Sequence, residues 1–107
     1  MSFSIVTTNN KKKELKQLTK KYPSVKNDIH DLATKLLKEP KMGTALGNDC
    51  YKIRIAITSK GKGKSGGARV ITFVQIIETT IYLLSIYDKA DTSNITDKVL
   101  KERLKGL

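Results

Sequence analysis

Residues 50–58 read Cys-Tyr-Lys-Ile-Arg-Ile-Ala-Ile-Thr, a regular alternation that decides the fold. The large apolar residues would all lie on one side of an extended chain: Tyr51, Ile53, Ile55 and Ile57. Lys52 and Arg54 would lie on the other side. Because side chains of a strand point alternately to its two faces, this stretch predicts a strand with one buried face and one cationic face.

Downstream of this strand, two longer apolar runs cover Ala68–Ile77 and Thr80–Tyr87. They are separated by a short turn at Glu78-Thr79. Their nearly continuous apolar character is typical of central strands that are buried on both faces. Together with residues 50–58 they predict a three-stranded meander.

Upstream, Phe3–Thr7 is short and rich in β-branched residues, which predicts a first strand. A helix follows, capped by Asn9 or Asn10 and ended by Pro23, with a narrow apolar face formed by Leu15, Leu18 and Tyr22. A second helix begins after Ser24 and ends near Pro40. Its apolar stripe is stronger, and comprises Val25, Ile29, Leu32, Leu36 and Leu37.

Lys41–Asp49, with Gly43 and Gly47, is predicted to be a loop. A last helix would be capped by Ser93, Asn94 or Thr96, and its apolar residues are Val99, Leu100 and Leu104. The predicted order is β-α-α-β-β-β-α over a single domain, residues 1–107. This is an α+β fold, in which a helical hairpin packs on one face of a small, mostly antiparallel sheet.

The composition points to a polyanionic partner. The formal net charge is +11 and the isoelectric point is near 9.8. Such an excess opposes compact folding through self-repulsion, so it indicates binding to nucleic acid, an anionic membrane or an acidic protein. The apolar runs are far shorter than the ~20 residues of a membrane helix, and Cys50 has no second cysteine to bridge. We therefore expect a cytoplasmic protein with no membrane partner.

The charge is unevenly placed. From Cys50 to Ile77 the chain has no Asp or Glu, and its cations are Lys52, Arg54, Lys60, Lys62, Lys64 and Arg69. Lys52 and Arg54 would lie about 7 Å apart on one sheet face. An antiparallel partner strand would bring Arg69 beside them. Such a face suits a phosphate backbone, although a solvated face without a ligand is the alternative.

The loop between these strands contains Gly61, Gly63 and Gly66 in a G-x-G-x-x-G pattern. A dinucleotide site requires a helix after that pattern, and here a strand follows, so we reject that interpretation. A Walker A loop also fails, because the earlier glycine would fall at Thr58. We expect instead an RNA-contacting loop that carries Lys60, Lys62 and Lys64.

Few residues could carry other chemistry. His30, the only histidine, lies off the apolar stripe, and Cys50 is expected to be a buried strand residue. Neither suggests a metal site, a cofactor or a nucleophile paired with a base. Tyr87 and Lys89 end the last strand, level with the cations. Cations and a tyrosine are sufficient for RNA cleavage through attack by its own 2′-hydroxyl group.

Three strings resemble the RelE/ParE superfamily of toxins, and most closely its RelE/HigB-like branch. They are Cys-Tyr-Lys-Ile-Arg-Ile at 50–55, Lys-Ser-Gly-Gly-Ala-Arg-Val-Ile at 64–71 and Ile-Tyr-Leu-Leu-Ser-Ile-Tyr-Asp-Lys at 81–89. The resemblance implies a RelE-like fold and a toxin of a type II toxin–antitoxin system. Its partners would be a cognate antitoxin, the ribosome and mRNA, and its activity would be ribosome-dependent, metal-independent mRNA cleavage that inhibits translation.

The resemblance also implies residue roles. Lys52, Arg54 and Arg69 match basic positions that the family uses at the scissile phosphate, and Lys89 falls near a further one. From the acid-free basic segment we hypothesise in addition that Lys52 is the base, that Arg54 and Arg69 stabilise the phosphorane, and that Lys89 or Tyr87 serves the leaving group. The late catalytic tyrosine of the family has no match, and Tyr87 or Tyr82 could replace it.

Two alternatives stay open at this point. ParE-type relatives share the fold and inhibit DNA gyrase without cutting RNA. A non-catalytic relative would only bind RNA or its antitoxin. The three cations Lys52, Arg54 and Arg69 favour the nuclease.

Overall fold

The computed structural model describes residues 3–61, 63, 66–88 and 96–105. The strands are β1 (Ser4–Thr7), β2 (Thr44–Gly47), β3 (Cys50–Ile55), β4 (Ala68–Gln75) and β5 (Thr80–Asp88). The helices are α1 (Asn9–Lys21), α2 (Val25–Lys38) and α3 (Asp97–Lys105), with a single 3₁₀ turn at Thr58–Lys60. The predicted α+β order is confirmed, with one strand added between α2 and the meander.

The five strands form one sheet in the order β1-β5-β4-β3-β2. β1 runs parallel to β5, and the other neighbours are antiparallel. The meander predicted from the apolar runs is therefore confirmed, and β4 and β5 are its buried central strands. The turn between them lies where it was predicted, closed by the Thr79 N–H, which donates to the carbonyl of Ile76 at 3.1 Å.

The prediction that residues 41–49 form a loop is wrong in part, because Thr44–Gly47 is the edge strand β2. It pairs with β3 through a two-residue turn at Asn48 and Asp49, whose φ angles are +54° and +61°. Positive φ at both central residues defines a type I′ turn, whose twist matches that of a hairpin. Asn and Asp tolerate this conformation better than other non-glycine residues.

The cap of α1 differs from the prediction. Thr8, and not Asn9 or Asn10, caps α1, and its hydroxyl accepts from the Lys11 N–H at 3.3 Å. The same hydroxyl donates to the carbonyls of Leu83 and Leu84 in β5. The Thr8 hydroxyl thus caps α1 and, through its bonds to β5, also joins this helix to the sheet. Thr96 caps α3 as expected, accepting from the Val99 N–H at 3.2 Å.

The main core lies between the sheet and the helical hairpin, as predicted. Val25 and Leu36 of α2 are completely buried against residues of β3 and β4 such as Ile53 and Val70. A second, smaller core lies on the other face, where Leu100 of α3 packs with Cys50, Ile71 and Leu84. The sheet is therefore covered by α1 and α2 on one face and partly by α3 on the other.

α1 also lies against the part of β5 that extends beyond β1. β1 pairs only with Thr80–Leu83, so β5 continues past the end of β1. There the Glu14 carboxylate of α1 accepts from the Ser85 hydroxyl at 3.0 and 3.1 Å and from the backbone N–H of Ile86. Glu14 also lies 3.6 Å from the Arg103 guanidinium of α3. This carboxylate thus links α1, β5 and α3.

Candidate nucleic-acid interface

The α3-covered face of the sheet consists of three rows of residues that run across β3, β4 and β5. The first row is Cys50–Phe73–Tyr82, and the second is Lys52–Ile71–Ser85. The third row, Arg54–Arg69–Tyr87, lies at the end where β4 begins and β5 finishes. The first row is apolar, and the rings of Phe73 and Tyr82 stack with centroids 5.9 Å apart. Polar chemistry is thus concentrated at one end of the face.

The third row, called here the basic row, brings together three of the residues expected to act on RNA. Arg54 pairs directly with Arg69, and Arg69 pairs directly with Tyr87. Neighbouring strands are about 4.8 Å apart, so the three backbone positions lie within about 10 Å. Directly opposite side chains point to the same face. The expectation that Tyr87 would lie level with the cations is confirmed.

Lys52 lies beside the basic row, two residues before Arg54 on the same strand. Residues two apart on a strand share a face and lie about 7 Å from each other. The side chain of Lys52 is half-buried, and its neighbour across the strand is Ile71. The structure therefore groups Lys52 with Arg54, Arg69 and Tyr87 on one surface.

The members of the basic row differ in exposure. Arg54 is exposed on β3, whereas Arg69, in the middle of the sheet, is only 3% exposed. A phosphate-binding face and a solvated face, the two interpretations of the sequence, would both have exposed cations, and Arg69 is buried. Its guanidinium donates to the carbonyl of Ala68 at 3.2 Å, which helps to satisfy a buried charge. Arg69 is thus buried and hydrogen-bonded within the sheet, and Arg54 presents its charge to solvent.

Comparison with known families identifies the relationship. The family model described as "RelE toxin of RelE / RelB toxin-antitoxin system" matches residues 10–105. The chain belongs to the RelE toxin family. The family match covers all the strands of the meander and both rows that carry cations.

Solved RelE structures share the fold of this RelE-family chain. A free E. coli RelE toxin carrying two arginine-to-alanine substitutions is 18% identical, with a TM-score of 0.63 over 98% of this chain and 97% of that one. The toxin in the intact E. coli RelBE toxin–antitoxin complex is 19% identical, with a TM-score of 0.60 over 82% of this chain and 96% of that one. At this identity the likeness shows the fold.

Lys60 of this RelE-family toxin does not lie where an RNA-contacting lysine was expected. Its ammonium group is 2.8 Å from Asp88 Oδ1, and the two side chains are 10% and 1% exposed. The hydrogen bond to Asp88 raises the pKa of Lys60. The ammonium also lies 5.2 Å from the centre of the Tyr22 ring, a favourable cation–π distance. We therefore assign Lys60 a structural role, with Asp88 as the partner that sequence reasoning missed.

The segment around Lys60 is attached to α2 by further hydrogen bonds. Asp28 accepts from the Thr58 hydroxyl at 2.6 Å and from the Thr58 N–H at 3.0 Å. Ser24, expected only as a helix cap, makes no capping bond to the α2 backbone; its hydroxyl instead accepts from the Ser59 N–H at 2.8 Å. The chain that leaves β3 is thus hydrogen-bonded to α2 and its cap at two consecutive residues, Thr58 and Ser59.

Of the remaining candidate residues, three lie outside the described part of the chain and two lie within it. Lys62, Lys64 and Lys89 lie outside the described residues. Cys50 is buried, and burial raises the pKa of its thiol to about 11, which suits a packing role better than nucleophilic attack. His30 is exposed on α2. In the described ranges, no three His, Cys, Asp or Glu side chains are grouped so as to hold a metal ion.

None of the helices that the structure describes combines the length and apolar character required to cross a membrane.

Proposed function

We propose that this type II toxin is a ribosome-dependent mRNA endoribonuclease that a cognate antitoxin inhibits. The observation that carries the proposal is the basic row, Arg54–Arg69–Tyr87, with Lys52 beside it. Membership of the RelE toxin family supports the toxin role. The RelBE complex and a RelE structure bound to an antitoxin RelBc peptide, 18% identical to this chain, support an antitoxin partner.

The chemistry uses the RNA's own 2′-hydroxyl group as the nucleophile. A base removes the 2′ proton, and the 2′ oxygen forms a bond to phosphorus. The bond from phosphorus to the 5′ oxygen then breaks, and an acid supplies that oxygen with a proton. The products are a 2′,3′-cyclic phosphate and a 5′-hydroxyl end. The step needs a base, an acid and positive charge at the phosphorane.

The residues of the face have positions suited to these roles. Lys52 is the proposed base, because it is the lysine of β3 and lies two residues from Arg54 on the same face. Arg54 and Arg69 stabilise the phosphorane from two neighbouring strands. Tyr87 lies on the far side of Arg69 from Arg54. Its hydroxyl oxygen is buried, so the proposed role toward the leaving group requires that RNA binding exposes this oxygen; the alternative role is stacking of its ring on a base. Lys89 remains a second proposed acid.

The proposed dependence on the ribosome is supported by the small number of acid–base groups in the rows that carry the cations. The basic row and Lys52 supply charge, but His30, the only histidine, lies on α2 and outside these rows. A site without an imidazole depends strongly on the correct placement of its substrate, and the ribosome can provide that placement. The net charge of +11 favours association with ribosomal RNA.

The test is cleavage of mRNA on translating ribosomes, mapped by primer extension, with plasmid supercoiling measured in parallel. A Lys52/Arg54/Arg69→Ala variant is expected to lose cleavage, whereas a Lys26/Lys38/Lys41→Ala variant, which removes the same charge from exposed helix and loop positions, keeps it. Since Arg69 is buried, Arg54→Ala serves as a variant that leaves packing intact. Altered supercoiling with intact mRNA would instead indicate a gyrase inhibitor.

Arg69→Lys separates charge from geometry. Lysine keeps the positive charge but cannot donate two parallel hydrogen bonds to a phosphate. We expect cleavage to fall about a hundredfold, the size typical of a lost donor to a developing anion. Equal cleavage by Arg69→Lys and the wild type, at equal folded fraction, would show that charge alone is sufficient.

A further inference from the structure

A second cationic surface lies on the outer side of the helical hairpin, away from the basic row. Five residues of α1 and one of α2 line a shallow groove of about 390 Å³; they are Lys12, Leu15, Lys16, Thr19, Lys20 and Lys26. The α1 members are spaced as one helical stripe, i, i+3, i+4, i+7 and i+8. We call this surface the lysine groove. None of its residues takes part in the proposed cleavage.

The lysine groove is unfavourable for the stability of the helices that form it. Lys12, Lys16 and Lys20 are four residues apart, and like charges at that spacing destabilise a helix. The first turn of α1 contains no acidic residue that would balance its dipole. Lys26 also lies near the start of α2, where a cation is disfavoured. Lys20 lies in the last turn of α1, where the helix dipole favours a cation, but the repulsion among the three lysines remains and an anionic partner would relieve it.

The floor of the groove is apolar although its rim is charged. Leu15 is half-buried, and the Thr19 hydroxyl donates to the Leu15 carbonyl at 2.7 Å, which leaves the Thr19 methyl group for contact. The methylene stems of the lysines complete the floor. A sugar–phosphate backbone is mainly polar and charged, so it offers much less apolar surface to this floor than a row of leucines does. An amphipathic helix with an apolar stripe between acidic residues complements both floor and rim.

We infer that the lysine groove binds an acidic amphipathic helix of a partner protein. Glutamates at four-residue spacing would repeat about every 6 Å, the same rise that separates Lys12, Lys16 and Lys20. A second copy of this chain does not fit, since its net charge is +11 and Asp28, one of the two acids on α2, is bound to Thr58. This inference rests on the proposed function, because the partner is the antitoxin: the lysine groove is the surface that binds it, and an acidic amphipathic helix is the part of it that binds.

The test uses a synthetic helical peptide of about five turns, with a leucine stripe flanked by glutamates at four-residue spacing. Its binding to the full chain is measured by fluorescence anisotropy. Lys12/Lys16/Lys20→Glu is expected to weaken binding by about tenfold or more, since it converts three attractive contacts into repulsive ones. Lys38/Lys41/Lys101→Glu, with the same change in net charge at exposed positions elsewhere, should change binding by about twofold at most.

A second peptide, in which every leucine is replaced by serine, tests the apolar floor. It should bind about tenfold more weakly than the leucine peptide. Equal affinity for both peptides, or equal weakening by both triple variants, would show only nonspecific attraction and would overturn the inference. A short double-stranded RNA provides the remaining comparison. The inference would also be overturned if this RNA bound the wild type and bound the groove variant more weakly, while the leucine peptide bound both proteins equally.

Failure of this inference and failure of the nuclease proposal give different results. At saturating ribosome concentration, where the lower net charge of the groove variant no longer limits association, it should still cleave mRNA to within about twofold, because its residues lie outside the basic row. Conversely, Lys52/Arg54/Arg69→Ala should still bind the leucine peptide. Retained peptide binding without any cleavage by the wild type would remove the nuclease proposal and support the groove.

Discussion

The two faces of the sheet are formed by the same strands but contain very different side chains. Toward α1 and α2, β3 and β4 contribute buried aliphatic residues such as Ile53, Ile55, Val70 and Val74. Toward α3, the same strands contribute Lys52, Arg54 and Arg69. The pleat therefore places the three cations on the face opposite the main core, where they lie beside the smaller core under α3. The helical hairpin supplies most of the core, so the other face can carry cations beyond the area that α3 covers.

The first prediction compares Lys60 with Arg54, two cations of the same acid-free segment. Lys60→Met should lower the free energy of unfolding by roughly 1.5–3 kcal/mol, because it removes the 2.8 Å hydrogen-bond partner of the buried Asp88 carboxylate, which Lys21 approaches to 4.0 Å. Urea unfolding measures the loss. Cleavage per folded molecule should be unchanged. A Lys60→Met variant that is as stable as the wild type but no longer cleaves would contradict the structural role and show that Lys60 contacts RNA.

The second prediction compares neighbours in β3 that point to opposite faces. Ile53→Ala should destabilise the protein by about 3 kcal/mol, since Ile53 is only 3% exposed in the main core. Arg54→Ala should change stability by less than about 0.5 kcal/mol, because Arg54 is exposed. Both values come from urea unfolding. Similar losses for the two variants would mean that the faces are not separated as described.

The third prediction concerns Glu14, where α1, β5 and α3 meet. Burial raises the pKa of its carboxyl above the ordinary 4.5. The folded state then binds the proton more tightly than the unfolded state, so this contribution to stability is present at low pH and declines as pH rises above 4.5. Glu14→Gln should therefore gain stability relative to the wild type between pH 4 and pH 7.

Urea unfolding at the two pH values measures this difference, with Glu102→Gln on α3 as an exposed carboxyl control. A relative loss for Glu14→Gln on going to pH 7 would contradict it. In that case the Arg103 guanidinium and the hydrogen bonds from Ser85 and Ile86 would outweigh burial.

The smallest predicted effect lies in the lysine groove. Lys16→Glu replaces two repulsive four-residue pairs, with Lys12 and Lys20, by two attractive ones. Stability should rise by about 0.5–1 kcal/mol at low salt. The midpoint of urea unfolding at low and high salt measures the gain, which should shrink as salt screens the charges. A loss of stability would mean that the lysines already have favourable contacts within the fold.

The sequence predicted the elements whose local pattern is strong. The alternation of residues 50–57 and the apolar runs that follow place Arg54, Arg69 and Tyr87 in one row, as the register shows. β2 was missed, although Gly-Asn-Asp before an alternating strand is a signal for a two-residue turn. Thr8 was missed as a cap because its role depends on the carbonyls of β5.

Two features of the site could not be predicted from local sequence. Lys60 and Asp88 are 28 residues apart, and only the folded chain brings them together. The burial of Arg69 follows from its place on a central strand, with β3 and β5 on either side. In both cases the cation is largely buried and contacts other groups of the protein, which its local sequence does not reveal.

The most direct test of the central claim, that the α3-covered face and not the helical hairpin acts on RNA, compares two single variants. Arg54→Ala and Lys38→Ala each remove one exposed cation, the first from the basic row and the second from the end of α2. Cleavage rates are measured on mRNA bound to ribosomes under single-turnover conditions. We expect a loss of about a hundredfold for Arg54→Ala and less than twofold for Lys38→Ala. Equal rates for the two variants would contradict the claim.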